Sequence, residues 1–442
     1  MGKDFYLLGI SVYGIKNIEK EISLNFYKKG IDKSFDPESY RIKAIYGENG
    51  AGKSALMTAV SIFKNIIINE DYLSDPEKQR LLKELINKKI KHFHFQCEFL
   101  NNMNGDISVY RYTVELKMNE KEKYEISQEK LEIRNGNYMQ SKYRDAFLVT
   151  DGKLINIECD EKIKEELEKI SYNLLRTKSL ITLYFQNHRS IMLEVDSELK
   201  WALYACILLA FTTKVYLVNE DRHELYFAQK YLNEELLREG DSDEFAKYFH
   251  RCLVGYSGVN ENRVAQDDFE KYESKIKSLS SFIQLFRREL KGIEIDAKPD
   301  GEFFICELIL DYGEYKIAKE FESTGIKKLI ALYDCLDAAS SGEIVFIDEM
   351  DSNLNDVYLC RMLEFFMYYG KGQLCFTTHN IDPMNVLMDN KKSIDFLSTD
   401  NILVPWTSCG NAKPDNNYKN GLIENLPFNI DATDFVGILG VV

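Results

Sequence analysis

Positive charge is in short supply in this chain. Lys and Arg number 56 against 71 Asp and Glu, a formal net charge of −15 over 442 residues. That excludes a general coat for duplex DNA, since non-specific DNA binding is built from basic side chains that replace phosphate counterions. A local basic face stays open. Long apolar runs are missing too: the longest, between Lys200 and Lys214, falls short of the roughly 20 residues a helix needs to cross a bilayer, so no membrane partner is expected. The opening MGKDFYLLGI has no small-residue cleavage pattern, and Tyr6 stands where myristoylation needs Ser or Thr. The nine cysteines are scattered singly with no C-x-x-C pair, which excludes a disulfide frame or zinc ribbon and fits reduced thiols in a cytoplasmic protein. No internal repeat and no sustained heptad array appears. With 45% hydrophobic and 29% charged residues, disorder is excluded as the main state.

What is present is a succession of strand and helix patterns. Leu8, Ile10 and Val12 alternate with small residues, as do Ile22, Leu24 and Phe26 with polar ones. Residues 42–46 run into a glycine-rich loop, followed by a helical pattern over 55–68, and Pro76 after Ser74-Asp75 marks a second helix start. Strand patterns at 93–99, 108–116 and 124–133 come with polar turns such as Asn104-Gly105 and Asn135-Gly136. From about Asp160 the pattern is mainly helical, through 219–244 and 269–290. Strands are expected again at 303–310, 315–321, 344–347 and 374–378, with helices from Ile326 and over 357–369. The Asn- and Pro-containing tail after Thr399 reads as irregular. The expected division is an N-terminal lobe over 1–185, a helical insertion over 186–298, a C-terminal lobe over 299–400 and a tail over 401–442.

The strongest chemical signal is Gly47-Glu48-Asn49-Gly50-Ala51-Gly52-Lys53-Ser54, which fits G-x-x-x-x-G-K-[ST] with an apolar strand before it and a helix after it. Glycines let successive N–H groups turn around phosphate oxygens, and the helix N-terminus adds its positive end. Gly47, Asn49, Gly50, Ala51, Gly52, Lys53, Ser54 and Ala55 are therefore the expected nucleotide-phosphate-binding residues, though such a loop alone does not separate kinases, GTPases and ATPases. Lys53 should reach the β- and γ-phosphates and the Ser54 hydroxyl should bind Mg2+. The apolar run Ile344-Val345-Phe346-Ile347 delivers Asp348-Glu349 at its end. Asp348 is placed to support Mg2+, and Glu349 to orient and deprotonate an attacking water. The strand at 374–378 ends in His379, a candidate sensor of the γ-phosphate. Ser323-Thr324-Gly325-Ile326-Lys327 stands before an amphipathic helix bearing Ile326, Leu329, Ile330, Tyr333 and Leu336, a further anion-binding turn.

These four elements stand in the order of the ABC-type ATPases, and Ser323–Lys327 is similar to their signature motif. With the long gap between the first and second elements, the chain resembles the stand-alone ABC-type AAA ATPases. These include OLD and RloA-like proteins and the ATPase subunits of anti-phage systems such as PARIS and Septu, with RecF and SMC ATPases more distant. Glu322-Ser323-Thr324-Gly325 and Asp348-Glu349-Met350-Asp351-Ser352-Asn353-Leu354 carry the likeness, which spans about residues 5–60 and 318–382. It implies an α/β fold: an ABC-type P-loop ATPase head, a mixed sheet with an antiparallel β subdomain, and a helical insertion. It implies a homodimer or higher homo-oligomer in which Ser323 and Gly325 grip the γ-phosphate of ATP bound to the other copy. It also implies a role as nucleotide-dependent sensor or scaffold in prokaryotic anti-phage defence, acting on a separate effector, a nuclease or toxin. The alternative it implies is a RecF-like repair ATPase. Asn355-Asp356 replace the His-Pro of many relatives, and Gln186 and Gln96 are both candidates for the family's Q-loop glutamine. Too little chain follows His379 for the TOPRIM domain of OLD proteins.

Other features are read plainly. His92 and His94 could pair on a metal but have no nearby Cys or acidic cluster in sequence. The basic segment Lys78, Arg80, Lys83, Lys88, Lys89 and Lys91, and the smaller group Arg287, Arg288 and Lys291, could contact nucleic acid but fit a solvated helix face.

Overall fold

A computed structural model describes residues 5–103, 105–159, 161–172, 174–187, 198–217, 258–388, 390–406 and 413–423. The chain opens with strands β1 (Phe5–Tyr13), β2 (Ile22–Asn25) and β3 (Ile42–Gly47), the last running into the glycine-rich loop and the helix Lys53–Ile68. After the helix Pro76–Leu85 come β4 (His92–Met103), β5 (Asp106–Met118), β6 (Tyr124–Asn135), β7 (Arg144–Thr150) and β8 (Lys153–Ile157). Helices at Glu161–Ser171, Leu180–Asn187 and Glu198–Thr212 lead to β9 (Thr213–Tyr216) and β10 (Arg263–Ala265), then the helix Phe269–Gln284. β11 (Gly292–Asp300), β12 (Phe303–Asp311) and β13 (Lys316–Ala318) precede the helix Thr324–Ser341. β14 (Ile344–Ile347), the helix Asp356–Tyr369, β15 (Gln373–Thr377), a short helix Asp382–Leu387, β16 (Ile394–Leu397), β17 (Leu403–Pro405) and a short helix Pro414–Lys419 complete the described chain.

The strands form a mixed α/β architecture of three sheets. A seven-stranded antiparallel sheet runs β2-β1-β4-β5-β6-β7-β8, and a six-stranded sheet runs β17-β16-β3-β15-β14-β9. In the second sheet β16, β3, β15, β14 and β9 are mutually parallel, and only the edge strand β17 is antiparallel. A third, smaller sheet pairs β12 with β10, β11 and β13.

Side-chain alternation explains the layering. Along the parallel strands Ile45, Phe346, Cys375 and Leu397 join one core, while Ala44, Tyr46, Val345, Ile347, Leu374 and Phe376 join another. A sheet whose two faces are both buried reads as a continuous apolar run. The helix Lys53–Ile68 lies between this sheet and the antiparallel one and is buried almost all round. Its Phe63 stacks on Phe95 of β4 at 4.8 Å and meets Tyr112 of β5 at 5.6 Å. The helices Thr324–Ser341 and Asp356–Tyr369 cover the other face.

Several elements differ from the sequence reading. Thr213–Tyr216 falls inside the expected helical insertion yet pairs in parallel with β14 as an edge of the central sheet; it is only four residues long and follows a helix without a turn signal. β11 crosses the expected boundary at 298 as a regular strand. The stretch 315–321 is three residues of strand and then a 3-10 turn. The tail holds β17 and a short helix. The expected helix at 219–244 lies outside the described residues.

The central sheet also buries charge. Lys43 of β3 is almost wholly enclosed, its Nζ 2.8 Å from Asp395 of β16 and donating to the Lys392 carbonyl at 2.6 Å. Burial pulls the Lys43 ammonium below its usual pKa, and the Asp395 carboxylate partly offsets that. Without Lys43, Asp395 keeps, among the described residues, only the partly exposed Lys28, 3.4 Å away, to balance its buried charge. Lys43→Met should cost about 3 kcal/mol in urea unfolding, and Lys43→Met combined with Asp395→Leu should regain most of it; a neutral single variant would contradict this account.

Candidate functional site

The carboxyl ends of β3, β15 and β14 lie side by side, with β15 between the other two. The glycine-rich loop follows β3, Asp348-Glu349 follow β14 and Thr378-His379 follow β15. Three strand ends and the N-terminus of the helix Lys53–Ile68 therefore converge on one edge of the sheet.

The loop's shape follows from its glycines. Gly50 (φ 80°) and Gly52 (φ 108°) occupy the left-handed region, which glycine enters without a Cβ penalty. A Cβ on Gly47 would sit 2.3 Å from the Leu397 carbonyl oxygen, so the strand end admits no larger residue. Gly52 is the N-cap, and its carbonyl accepts from the N–H groups of Ala55 (3.1 Å) and Leu56 (3.2 Å). Asn49 and Gly50 are exposed and Ser54 is half-buried. The Ala51 and Ala55 side chains belong to the hydrophobic core, and their N–H groups donate to the Glu48 and Gly52 carbonyls. Asn17, from the turn after β1, donates to the Gly50 carbonyl.

Lys53 is buried with its Nζ donating to the carbonyls of Gly47 (2.7 Å) and Glu48 (3.0 Å). Burial lowers its pKa to about 8, against the opposing pull of Asp348, Glu349, Asp351 and Glu48. The lysine is thus held inward, surrounded by carboxylates. Ser54 Oγ and Asp348 are hard oxygen donors of the kind Mg2+ takes, and a surplus of carboxylates over ammonium favours a divalent cation there, so the residues fit that ion. Among the described residues no group of three His, Cys, Asp or Glu is arranged to hold a metal without a substrate's help. His92 and His94 instead flank the single carboxylate of Glu115, at 3.1 and 3.4 Å.

Asp348 is buried, and Thr377 Oγ1 donates to its Oδ1 at 2.6 Å. The same Oγ1 accepts the Glu349 N–H at 2.8 Å. Glu349 has φ 46°, left-handed for a residue with a Cβ. Its side chain is half-buried at the sheet edge. The His379 side chain is exposed, and its main-chain N–H donates to Asp351 Oδ2 at 3.3 Å. Lost hydration on its inner side, then the Lys53 charge, keep the imidazole below its usual pKa, while Asp351, Glu349 and Asp348 pull the other way. His379, Lys53 and the acids therefore share one electrostatic neighbourhood.

Ser323 and Gly325 are not part of that neighbourhood. Ser323 is exposed, caps its own helix by accepting the Ile326 N–H at 3.5 Å, and donates its main-chain N–H to buried Glu322 at 2.8 Å. Glu322 in turn accepts from Tyr312 at 2.6 Å. Asn355 caps the helix Asp356–Tyr369 by accepting from Val357 at 3.0 Å. Of the Q-loop candidates, Gln96 lies within β4, its Oε1 accepting from Thr113 at 3.4 Å; Gln186 lies in the helix Leu180–Asn187, with its side chain outside the described residues. The sequence reading missed Thr377, Asp351 and Asn17. The doubled threonine before His379 was the available signal for the first.

Residues 42–382 match the family described as "AAA domain, putative AbiEii toxin, Type IV TA system". The chain belongs to that family. The matched span runs from the first residue of β3 through His379 and so takes in every element gathered at the sheet edge. For an AAA domain, a nucleotide-hydrolysing P-loop site with ATP and Mg2+ is the general expectation, and the mixed α/β fold agrees with it. No curated protein matches the chain. No helix among the described residues is long and apolar enough to cross a membrane.

Thr377→Val keeps the side chain's shape and deletes the shared hydroxyl, leaving the Glu349 N–H and one Asp348 oxygen unpaired. It should lower stability by about 2 kcal/mol in urea unfolding; an unchanged midpoint would show that the bridge carries no weight.

Proposed function

We propose that this chain is an ABC-type ATPase subunit. In this reading it works as a nucleotide-dependent sensor or scaffold in a prokaryotic anti-phage system and controls a separate effector. The observation that carries the ATPase reading is the meeting, at one sheet edge, of buried Lys53, Asp348 and Glu349, with the latter two held by one threonine hydroxyl. The defence role rests on the sequence resemblance and on the family's description, which names a toxin and a type IV toxin–antitoxin system.

The residues act as follows in this reading. Main-chain N–H groups of Gly50 to Ser54 surround the phosphates, and the Lys53 ammonium turns from the Gly47 and Glu48 carbonyls to the β- and γ-oxygens. Ser54 and Asp348 would hold Mg2+, which would supply charge neutralisation of the phosphates. The Glu349 carboxylate takes the proton of the attacking water, and His379 reports the γ-phosphate. Ser323, which is exposed, and Gly325 complete the site of a second copy across a two-fold axis. ATP then favours the closed pair and hydrolysis releases it. The basic segment gives little support to the repair alternative: Lys83, Lys88 and Lys89 are paired with Glu122, Glu84 and Glu19.

Glu349→Gln should retain ATP binding, lower turnover by about two orders of magnitude or more, and accumulate an ATP-bound dimer in size exclusion. Ser323→Arg should abolish hydrolysis without loss of binding. Ordinary turnover in either variant would remove its assigned role, and Lys53→Ala should bind no nucleotide. Lys53 offers a second test. Its pKa of about 8 lies below the ordinary lysine value, so at about pH 8.5 part of the nucleotide-free protein carries it neutral, whereas a triphosphate demands the ammonium. ATP binding should therefore take up protons near that pH and lose the uptake as pH falls towards neutrality. Calorimetry in buffers of different ionisation enthalpy reads it, and zero uptake would place Lys53 away from the phosphates.

A further inference from the structure

The signature helix carries a lysine that the phosphate chemistry does not use. Lys328 lies in the first turns of Thr324–Ser341 and is buried. Its Nζ donates to the Glu349 carbonyl at 3.0 Å and to Ser352 Oγ at 2.9 Å. It also lies 4.4 Å from the ring centroid of Tyr216, whose carbonyl accepts the Asp348 N–H at 2.9 Å. A buried ammonium is tolerated only with such acceptors and an aromatic face around it.

These contacts converge on a strained residue. A left-handed backbone at a non-glycine residue costs of order 1 kcal/mol or more, and persists only where the surroundings over-determine it. At Glu349 they do so from three elements. Thr377 of β15 holds the N–H, while Lys328 and Ser352 hold the carbonyl; Ser352 contributes both its Oγ (2.9 Å) and its N–H (3.1 Å). The helix meets the same turn a second time, since a Cβ on Gly325 would come within 3.1 Å of the Asn353 carbonyl oxygen. The Ser323 turn and the Glu349 main chain are thereby ends of one packed unit.

We infer that Lys328 is a positioning residue: it clamps the main chain of Glu349 and ties the aim of that carboxylate to the position of the signature helix. The inference rests on the reading of Glu349 as the base. A second copy's nucleotide pressing on Ser323 would move the helix, and the Nζ–carbonyl contact passes that movement to the group that activates water. Misplacement of a catalytic group by about 1 Å can cost a hundredfold in rate, so a clamp at this carbonyl is enough to make hydrolysis depend on the partner's grip.

Lys328→Met, Lys328→Arg and the parent chain distinguish the outcomes. Lys328→Met should bind ATP within about twofold of the parent while its kcat falls at least about tenfold, and Lys328→Arg should recover part of the loss. Hydrogen exchange of the peptide spanning residues 347–354 should speed up in Lys328→Met, with the peptide spanning 42–53 unchanged. Parental kcat, or unchanged exchange at 347–354, would overturn the inference. Should Lys328→Met not fold, Ser352→Ala, which removes a second donor to the same carbonyl, carries the same comparison and the same overturning result. A parent chain that hydrolyses no ATP would sink the proposed function instead, and the clamp would then be judged by exchange alone.

Discussion

One hydroxyl group holds the two acids of the site in their places. Thr377 Oγ1 has a single proton, given to Asp348, and its lone pairs take the N–H of Glu349. Because Thr377 is wholly buried, water cannot substitute for either bond, and the position of β15 bears on the geometry of both acids. That position is a matter of topology. β15 lies between the loop strand β3 and the acidic strand β14, so the strand leading to His379 is also the strut for Asp348 and Glu349. A change at the end of β15 therefore reaches both acids through a rigid hydrogen bond.

The sheet that provides this strut is unusually rich in enclosed charge. Besides Lys43 and Asp395, the helix behind the loop buries Lys64, whose Nζ donates to the Thr213 carbonyl at 2.7 Å. Burial and the nearby Lys214 push the Lys64 pKa down to about 7, with Glu343 opposing. Lys214 is itself 3.5 Å from Glu343. Such groups are costly to enclose and harsh on mispairing, since a shifted strand leaves a charge unmatched. Each joins a strand to its neighbour or to a covering helix, which favours a single register for a sheet built from strands only three to six residues long.

The antiparallel sheet plays a different part. Its β4 and β5 side chains Phe95 and Tyr112 grip Phe63 of the helix that begins at Lys53, while the turn after β1 reaches the loop itself through Asn17. The phosphate loop is held at both ends: by the parallel sheet at Gly47 and by the antiparallel sheet along the helix. A loop that must present N–H groups to a ligand without reorganising gains from such support.

The phosphate loop, Asp348-Glu349, the Ser323 turn and the strand before His379 were all legible in the sequence. Each is a local pattern whose residues stand next to one another in the chain: glycines that permit positive φ, an apolar run that ends in acids, a cap that begins a helix. Strand β9 was not legible, because four residues after a helix carry no period of their own and become a strand only by pairing with β14. Nor were the partnerships of Thr377 and Lys328 legible. A threonine in an apolar strand and a lysine in a helix have many possible fates, and contacts across 28 and 21 residues of sequence are made by packing alone. The amino-acid order by itself determined which groups could meet phosphate, metal and water; tertiary structure decided how those groups are aimed, because aim depends on hydrogen bonds between elements that only the fold brings together.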